Sequence, residues 1–326
     1  MDLPVALGDA FTLEHARAQE RTGAFRSGFD IPSSGIRVRR GVELTLPERL
    51  GLLRAVLPPD IAFSHDTAAE LWGLPLPARS AAPDPSVHVI RPIHRPPVVR
   101  RGVVSHKGIG TRDIAEVEGL PVTTVVDTWC DLAASWSRAA LVAAGDVLVR
   151  EHGDEHLREL VSDLRGCRGV RTMRELLPLL RARSASPTES RARLVFHDAG
   201  LPEPELNVEI VDDVGVWLAT PDFTWRAQKV VGEYDGDQHR TDRTAWQYER
   251  DRRARLEDHG WTYVEMTYIH LVDPGAARAA RPSSRGAPAL RSIATLPTAD
   301  RAPPSPVPPS PLALPLRPSP RYGNRP

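Results

Sequence analysis

The alternation of apolar and polar residues predicts a short helix and a strand near the N-terminus. The segment FTLEHARAQE has the spacing of a helix that begins at Thr12. GIRVRRGVEL alternates as a strand does, which places Ile36 and Val38 inward and Arg37 and Arg39 outward. The N-terminal part of the chain is therefore expected to be a small mixed unit with a basic, exposed strand.

A longer unit with both helices and strands is predicted over residues 47–183. PERLGLLRAVL is amphipathic, and HDTAAELW is predicted to be a helix with Ser64 as its N-cap and Gly73 at its end. VHVIRP and GVVSH have the character of strands. TTVVDTWCDLAA, RAALVAAGDVLVRE and VRTMRELLPLLRAR are predicted helices.

The clearest local signal begins at SPTE, residues 186–189. Ser186 as N-cap, Pro187 at the first helical position and Glu189 three residues after the cap form a capping box, and Gly200 ends the helix. Strands at ELNVEIV, VWLATPDFTW and KVVGEYDG, a helix over TAWQYERDRRARLEDH and a strand at WTYVEMT follow. The order αβββαβ, together with the preceding elements, predicts an α+β fold.

A hairpin that turns at Ala227 and Gln228 would bring acidic residues together. In that register Asp222 lies directly opposite Glu233 with their Cβ atoms about 5 Å apart, and Asp235 shares the same face. Because Ala-Gln is a weak two-residue turn, a one-residue slip that points Asp222 to the other face remains an alternative.

Converging carboxylates repel one another, and a bound divalent cation removes that penalty. Mg²⁺ or Mn²⁺ suits oxygen ligands, whereas zinc is disfavoured because Cys and closely spaced His are absent there. Only Cys130 and Cys167 occur in the whole chain, which excludes a disulfide scaffold and a zinc ribbon.

Length and composition indicate a globular chain of more than one domain. The 326 residues are 41% hydrophobic and 26% charged, and no apolar run approaches the ~18 residues of a membrane span. We therefore expect that the protein is not an integral membrane protein. The N-terminus lacks a basic region followed by an apolar one, so no signal peptide is predicted and the expected compartment is the cytoplasm.

The formal net charge of the chain is zero, but the acidic and basic residues are unevenly distributed along it. Residues 184–280 hold 11 basic and 18 acidic side chains, whereas residues 281–326 hold seven Arg and one Asp. Thirteen of the last 45 residues are Pro, a composition that predicts a disordered tail. Because nucleic-acid affinity depends on phosphate neutralisation, an acidic domain needs a metal or a basic partner segment to bind DNA.

FSHDTAAELWGLPLP and GLPVTTVVDTWCDLAA resemble the antitoxin of abortive-infection type IV toxin–antitoxin systems (AbiEi) over residues 5–150. The resemblance implies a winged-helix head that binds DNA and represses its own promoter. Arg37, Arg39 and Arg40 would then contact phosphates, the alternative being a solvated strand edge. Four histidines of this part, His65, His88, His94 and His106, show no metal-ligand spacing and are expected to be ordinary side chains.

PDF at 221–223, followed by EYDGDQH at 233–239, resembles the PD-(D/E)xK nuclease superfamily, closest to relatives of the very-short-patch-repair endonucleases, over residues 184–272. The resemblance implies Asp222 and Glu233 as metal ligands, the Tyr234 carbonyl as a third, and Glu189 reaching the site from the preceding helix. The superfamily's lysine position is occupied here by Asp235, which departs from the pattern.

Two features are candidates to replace the lysine. Asp235 would bind a second cation, while His239 acts as general acid or base near its ordinary pKa of about 6.5. The alternative for His239 and Gln238 is a hydrogen bond that orders their loop. Arg252 and Arg253 are candidates to hold the scissile phosphate, the alternative being surface ion pairs with Glu249.

The sequence thus predicts four segments: a winged-helix-like head at 1–46, an antitoxin-like middle domain at 47–183, a nuclease-like domain at 184–275 and a disordered tail at 276–326. The leading hypothesis is a Mg²⁺- or Mn²⁺-dependent DNA endonuclease or nickase. A non-catalytic, antitoxin-like transcriptional regulator is the alternative, and an RNA-cleaving toxin is a third. DNA is the expected partner and a membrane is not; a toxin partner or a homodimer is left open.

Overall fold

The computed structural model describes residues 8–21, 25, 27–77, 86–165, 168–234 and 243–266, with the backbone alone at 156 and 243–249. In these residues the protein has an α+β fold, as predicted. The helices are Leu13–Ala18 (α1), Leu46–Ala55 (α2), His65–Leu71 (α3), Val125–Leu132 (α4), Arg138–His152 (α5), Asp154–Asp163 (α6), Val170–Leu176 (α7), Pro187–Asp198 (α8) and Arg243–Asp258 (α9). None of these helices is long and apolar enough to cross a membrane.

The strands form four small sheets. They are Ala10–Thr12 (β1), Phe29–Asp30 (β2), Ile36–Arg39 (β3), Ala62–Phe63 (β4), Val87–Arg91 (β5), Val103–Lys107 (β6), Ile114–Val117 (β7), Leu120–Thr123 (β8), Glu205–Leu206 (β9), Ile210–Val211 (β10), Trp217–Ala219 (β11), Phe223–Trp225 (β12), Val230–Tyr234 (β13) and Thr262–Met266 (β14). The sheet orders are β1-β3-β2, β6-β5-β4-β8-β7, β10-β11 and β14-β13-β12-β9.

The chain divides into two compact units. Unit 1 comprises Met1–Ser137 and Leu164–Met173, and unit 2 comprises Arg138–Asp163 and Arg174–Pro326. The predicted boundary at 46/47 falls within unit 1, and the predicted boundary at 183/184 falls within unit 2. The predicted tail lies outside the described residues.

In unit 1 the helix α1 begins where the sequence predicts, because the Thr12 side chain accepts the backbone N–H of His15 at 3.1 Å. The following strand differs from prediction. β3 is the central strand of its sheet, and Ile36 and Val38 share one apolar core with Leu50 and Phe63.

The prediction that Arg37 points outward is wrong. Arg37 is 7% exposed, and its guanidinium donates hydrogen bonds to the carbonyls of Phe25 and Ile36 at 2.9 and 2.8 Å. Simple alternation failed here because β3 has a neighbouring strand on each side and the loop at Phe25 covers its second face. Backbone carbonyls shielded from water need a donor, and Arg37 supplies it to Phe25 and to Ile36.

In unit 2 a buried ionic group fixes α8 against α5. The carboxylate of Asp146 accepts hydrogen bonds from the Arg193 guanidinium at 3.0 and 2.7 Å, from the Ser190 hydroxyl at 2.7 Å and from the Arg181 N–H at 2.6 Å. Asp146 is 1% exposed and Arg193 is 4% exposed. Because each charge is paired and hydrogen-bonded, burial is tolerated, and α8 is held in one position.

Two of the predicted strands of unit 2 are each split between two sheets. Residues 205–211 contribute β9 to the four-stranded sheet and β10 to the two-stranded one, and residues 217–225 contribute β11 and β12 in the same way. Ile210 and Leu218 fill a second core with Val231 and Leu256, so both faces of the sheet are covered. Continuous apolar strands were predicted because alternation does not show where a strand changes sheets.

The remaining predicted order is observed. β9, β12 and β13 form an antiparallel meander, and β13 continues through α9 to β14, which pairs parallel to β13. A short 3-10 helix, Arg226–Gln228, closes the β12–β13 hairpin, with Lys229 in the left-handed region at φ 50°. This connection fixes the register on which the acidic site depends.

Candidate functional site

The β12–β13 register agrees with the prediction. Phe223 pairs with Gly232 and Trp225 with Val230, and one further step along both strands sets Asp222 opposite Glu233. The backbone N–H of Tyr234 donates to Asp222 Oδ2 at 2.9 Å, which holds the Asp222 side chain against the end of β13. The one-residue slip is therefore excluded, and the two predicted ligands lie side by side.

Glu233 is a buried carboxylate, 8% exposed, with cationic and phenolic partners. Arg252 of α9 forms an ion pair through Nη2 with Glu233 Oε2, and the Tyr263 hydroxyl donates to the same oxygen at 2.9 Å. The parallel pairing of β13 with β14 places Tyr263 beside Glu233, because Val231 pairs with Tyr263. Both partners thus come from the β13–α9–β14 crossover.

Glu189 reaches the same region from α8, but its bonds differ from the predicted capping box. Ser186 does cap the helix by accepting the Glu189 N–H at 3.1 Å, whereas the Glu189 carboxylate accepts the N–H of Ala185, not Ser186, at 2.9 Å. The side-chain amide of Asn207 also donates to Glu189 at 2.8 Å, and the Asn207 N–H donates to the Asp222 carbonyl at 3.2 Å. Asn207 therefore joins Glu189 to the Asp222 backbone.

The other predicted residues of the acidic site are only partly described. Asp235, Gln238 and His239 lie outside the described residues, and Tyr234 is half-buried at the end of β13. Arg253 pairs through Nε with Glu257 at 2.9 Å, and its guanidinium lies 5.1 Å from the ring centroid of Tyr263, the residue that donates to Glu233. The alternative predicted pairing of these arginines with Glu249 concerns a side chain that is not described.

In unit 1 the basic strand presents two exposed arginines. Arg39 pairs with Asp9 at 2.7 Å, and Arg40 lies 3.7 Å from Asp30 with 70% of its side chain exposed. Surface pairs of this kind contribute about 0–1 kcal/mol and exchange readily for a phosphate. Arg39 and Arg40 therefore remain candidates for DNA contact, whereas Arg37 does not.

The donor set of the acidic site suits a hard divalent cation. Asp222 and Glu233 supply carboxylate oxygens from adjacent strands, and Tyr234, whose N–H donates to Asp222 Oδ2, is the last residue of β13. Neither Cys nor His contacts these two carboxylates among the described residues. Carboxylate oxygens are ligands that suit Mg²⁺ and Mn²⁺, so these two residues could hold either ion.

Unit 1 contains a cluster of three histidines that were expected from the sequence to be ordinary, unconnected side chains. His65, His88 and His106 each place one ring nitrogen within 4.8 Å of the others. His88 Nδ1 and His106 Nε2 are 3.1 Å apart, and the rings of His65 and His106 stack with centroids 3.5 Å apart. His94, the fourth histidine of this part, is exposed and does not belong to the cluster.

Burial keeps His65 and His106 neutral. Burial first, and then the neighbouring imidazoles, lower the pKa of His65 to about 3 and that of His106 to about 4. Burial also raises the pKa of Asp131, which lies behind His65 with its Oδ2 3.7 Å from His65 Nδ1. Arg112 opposes that shift by donating to Asp131 Oδ1 at 2.9 and 2.6 Å.

The cluster was missed because its members are far apart in sequence. His65 follows β4, whereas His88 and His106 lie on the parallel neighbours β5 and β6, where Ile90 pairs with His106. The available signal was that two predicted strands, VHVIRP and GVVSH, each carry one histidine. Only the pairing of β5 with β6 shows that these histidines share a face.

The fold and the two sites define an α+β protein with a carboxylate pair in one unit and a histidine cluster in the other. No family model matches the chain. It is 31% identical over 257 residues to "Uncharacterized protein Rv2248" of Mycobacterium tuberculosis (strain ATCC 25618 / H37Rv), a match that covers 76% of this chain and 91% of the relative. The same values hold for "Uncharacterized protein MT2308" of strain CDC 1551 / Oshkosh. The chain belongs to the family of these mycobacterial proteins.

Proposed function

We propose that the protein is a Mg²⁺- or Mn²⁺-dependent DNA endonuclease or nickase whose active centre lies at the edge of β12 and β13. The observation that carries the proposal is the register that sets Asp222 directly opposite the buried Glu233. Two adjacent carboxylates repel each other unless a cation lies between or beside them. The arrangement therefore favours a site that binds positive charge.

Asp222 and Glu233 would hold the cation through carboxylate oxygens, with the Tyr234 carbonyl as a third ligand. A bound Mg²⁺ or Mn²⁺ supplies a Lewis acid for the phosphate and lowers the pKa of an attacking water. The chain's own contribution is to fix the ligands. The Tyr234 N–H orients Asp222, and the Asn207 N–H bonded to the Asp222 carbonyl fixes the backbone from the other side.

Arg252 supplies the positive charge that the superfamily's lysine would otherwise provide. Asp235 occupies the lysine position in the sequence, whereas the Arg252 guanidinium lies against Glu233 in the structure. A guanidinium binds phosphate oxygens in a bidentate manner and stabilises the charge that builds up on them during phosphoryl transfer. We assign Arg252 to the scissile phosphate and Tyr263 to holding Glu233 in place.

His239 completes the proposal as the proton carrier, on the basis of its place in DGDQHR. Exposed Arg39 and Arg40 on the sheet β1-β3-β2 would hold DNA through phosphate contacts, in a head that resembles a winged helix. Because residues 184–280 are acidic overall, affinity for DNA has to come from such basic surfaces and from the metal.

Relaxation of supercoiled plasmid by the purified full chain in Mn²⁺ or Mg²⁺ tests the proposal. Asp222→Asn keeps the side-chain volume and removes the ligand charge, so we expect nicking to be lost. Asp213→Asn is the matched control, since Asp213 is an exposed carboxylate of the β10–β11 turn in the same unit. Equal nicking by wild type and Asp222→Asn would reject the proposed centre.

One observation favours the second candidate, a non-catalytic DNA-binding regulator. The ion pair of Glu233 with Arg252 neutralises the buried carboxylate without any metal. A regulator would keep this ion pair as a structural bond and have no use for a cation at Asp222. Calorimetry separates the two candidates, because the nuclease requires Mn²⁺ binding that Asp222→Asn abolishes, whereas the regulator binds DNA equally well with or without Mn²⁺.

A further inference from the structure

We propose that His65, His88 and His106 of unit 1 form a transition-metal site, with Zn²⁺ as its ion, that is separate from the carboxylate centre of unit 2. The three imidazoles converge from three elements: the start of α3, β5 and β6. Each histidine is half-buried, so the site is reachable from solvent. Nitrogen ligands select zinc and its neighbours in the transition series and reject Mg²⁺.

The spacing of the nitrogens agrees with tetrahedral coordination. Zn–N bonds of about 2.0–2.1 Å at the tetrahedral angle separate two ligand nitrogens by about 3.3 Å. His88 Nδ1 and His106 Nε2 are 3.1 Å apart, and the third nitrogen lies within 4.8 Å of both. The His65 and His106 rings are nearly parallel, 12° between planes, so closing on one ion requires ring rotation about the soft χ2 torsion.

The backbone supports this convergence. Ser64, the residue after β4, donates its N–H to the His88 carbonyl of β5 at 3.1 Å, which brings His65 next to β5. The His88 N–H is in turn bonded to the Thr67 hydroxyl of α3 at 2.8 Å. His65 has φ +52°, a left-handed conformation that is uncommon for residues other than Gly, although His, Asn and Asp adopt it more often than the rest. Such strained positions are concentrated at functional sites.

A second, independent observation is the carboxylate behind His65. Asp131 Oδ2 is buried and accepts no hydrogen bond within the part of the chain that the structure describes, although it lies 3.7 Å from His65 Nδ1. Metal-bound histidines commonly donate their other ring N–H to a carboxylate, which fixes the tautomer and increases ligand basicity. His65 Nδ1 also lies 3.0 Å from the Ser64 hydroxyl oxygen, so Ser64 and Asp131 both face Nδ1 and the Nε2 of His65 is the nitrogen available to the ion. Arg112, bonded to Asp131 Oδ1, fixes the carboxylate.

Three protein ligands leave one tetrahedral position for solvent or another small ligand. Structural zinc sites are closed by four protein ligands, whereas three ligands and an open position are typical of sites that activate water. Asp66, whose carboxylate accepts the Trp136 indole N–H at 2.8 Å, also acts on His106: burial lowers the pKa of His106, and the charge of Asp66 opposes part of that shift. The site is therefore assigned as an open three-histidine centre with acidic groups around it.

The test uses untagged full-length protein treated with a chelator and titrated with Zn²⁺ and with Co²⁺ as a spectroscopic probe. We expect one ion per chain with the visible absorption of tetrahedral Co²⁺. His88→Ala and His106→Ala should each weaken the affinity by more than about 100-fold, and Asp131→Asn by about 10- to 100-fold. His94→Ala, which changes an exposed histidine of the same unit, should bind like the wild type.

Two controls keep the result interpretable. Zn²⁺ binding that persists in the double variant Asp222→Asn, Glu233→Gln distinguishes this site from the carboxylate centre. X-ray absorption on the wild type counts imidazole ligands without any substitution, so variants that fail to fold do not decide the outcome. Three results would each overturn the proposal. They are Zn²⁺ bound by oxygen ligands only, Zn²⁺ binding that is unchanged in folded His88→Ala and His106→Ala, and no binding at millimolar Zn²⁺.

Discussion

At the residue scale, the acidic site depends on how Arg252 balances the charge of two carboxylates. The guanidinium lies on Glu233, the residue that we assign as a metal ligand. An arginine in this position has two effects of opposite sign: it competes with the cation for Glu233, and it attracts the phosphate. The two effects can be separated by measuring metal affinity and turnover independently.

Arg252→Gln should lower plasmid nicking by about 100-fold or more, because a positive charge is lost where the phosphate gains charge in the transition state. The affinity for Mn²⁺ should stay the same or rise, since a competing cation leaves Glu233. Arg226→Gln serves as the control, because Arg226 forms an exposed pair with Glu205 in the same unit. Loss of Mn²⁺ affinity in Arg252→Gln would show instead that Arg252 only holds Glu233 in place.

The pH dependence of stability tests the histidine cluster in chelator-treated protein. Folding lowers the pKa of His65 from 6.5 to about 3, so the unfolded chain takes up a proton that the folded chain excludes. Burial of neutral His65 therefore carries no proton-linked cost above pH 6.5. Below pH 6.5 the free energy of unfolding decreases by about 1 kcal/mol for each pH unit. The groups facing His65 are His88, His106, Asp131 and Arg112.

His65→Asn tolerates the positive φ and removes the titration. Urea unfolding at pH 7.5 and 5.5 should show a loss of stability that is about 1 kcal/mol larger in the wild type than in this variant. Equal losses in both proteins would contradict the burial of neutral His65.

At the element scale, α8 is the helix that brings Glu189 to the acidic site, and its position depends on Asp146. Asp146→Ala leaves Arg193 buried without its partner, which should cost about 3–5 kcal/mol in the free energy of unfolding. Asp154→Ala, which breaks the exposed Asp154–Arg158 pair in α6, should cost about 0–1 kcal/mol. Urea denaturation of both variants is the measurement, and similar costs would show that the buried pair does not fix α8.

Local signals predicted most helices, the hairpin register and the fold class. Thr12, Ser186 and Gly200 act at the helix ends where the sequence placed them, because capping depends on nearby residues. Arg37 could not be predicted, since its burial depends on the loop at Phe25. The same reason applies to Arg252 at Glu233, because these two residues are 19 positions apart and are brought together only by the β13–α9–β14 crossover.

At the scale of the whole molecule, we assign different chemistry to the two units. Unit 2 carries oxygen ligands for a hard cation, and unit 1 carries nitrogen ligands for a transition metal together with the exposed arginines of β3 and the residue after it. Ion selectivity should follow this division. Chelator-treated protein given Mn²⁺ and Zn²⁺ together should bind one Mn²⁺ ion and one Zn²⁺ ion per chain. The Asp222→Asn variant should lose only the Mn²⁺ ion.

The most direct test of the central claim is the initial rate of plasmid relaxation as a function of Mn²⁺ concentration for wild type and Glu233→Gln. We predict a rate that saturates with Mn²⁺ in the wild type. Glu233→Gln, prepared identically, should be slower by a factor of about 10³ or more, because the buried ligand charge is gone. Equal rates for the two proteins, or no relaxation by the wild type at any Mn²⁺ concentration, would contradict the assignment of Asp222 and Glu233 as a nuclease centre.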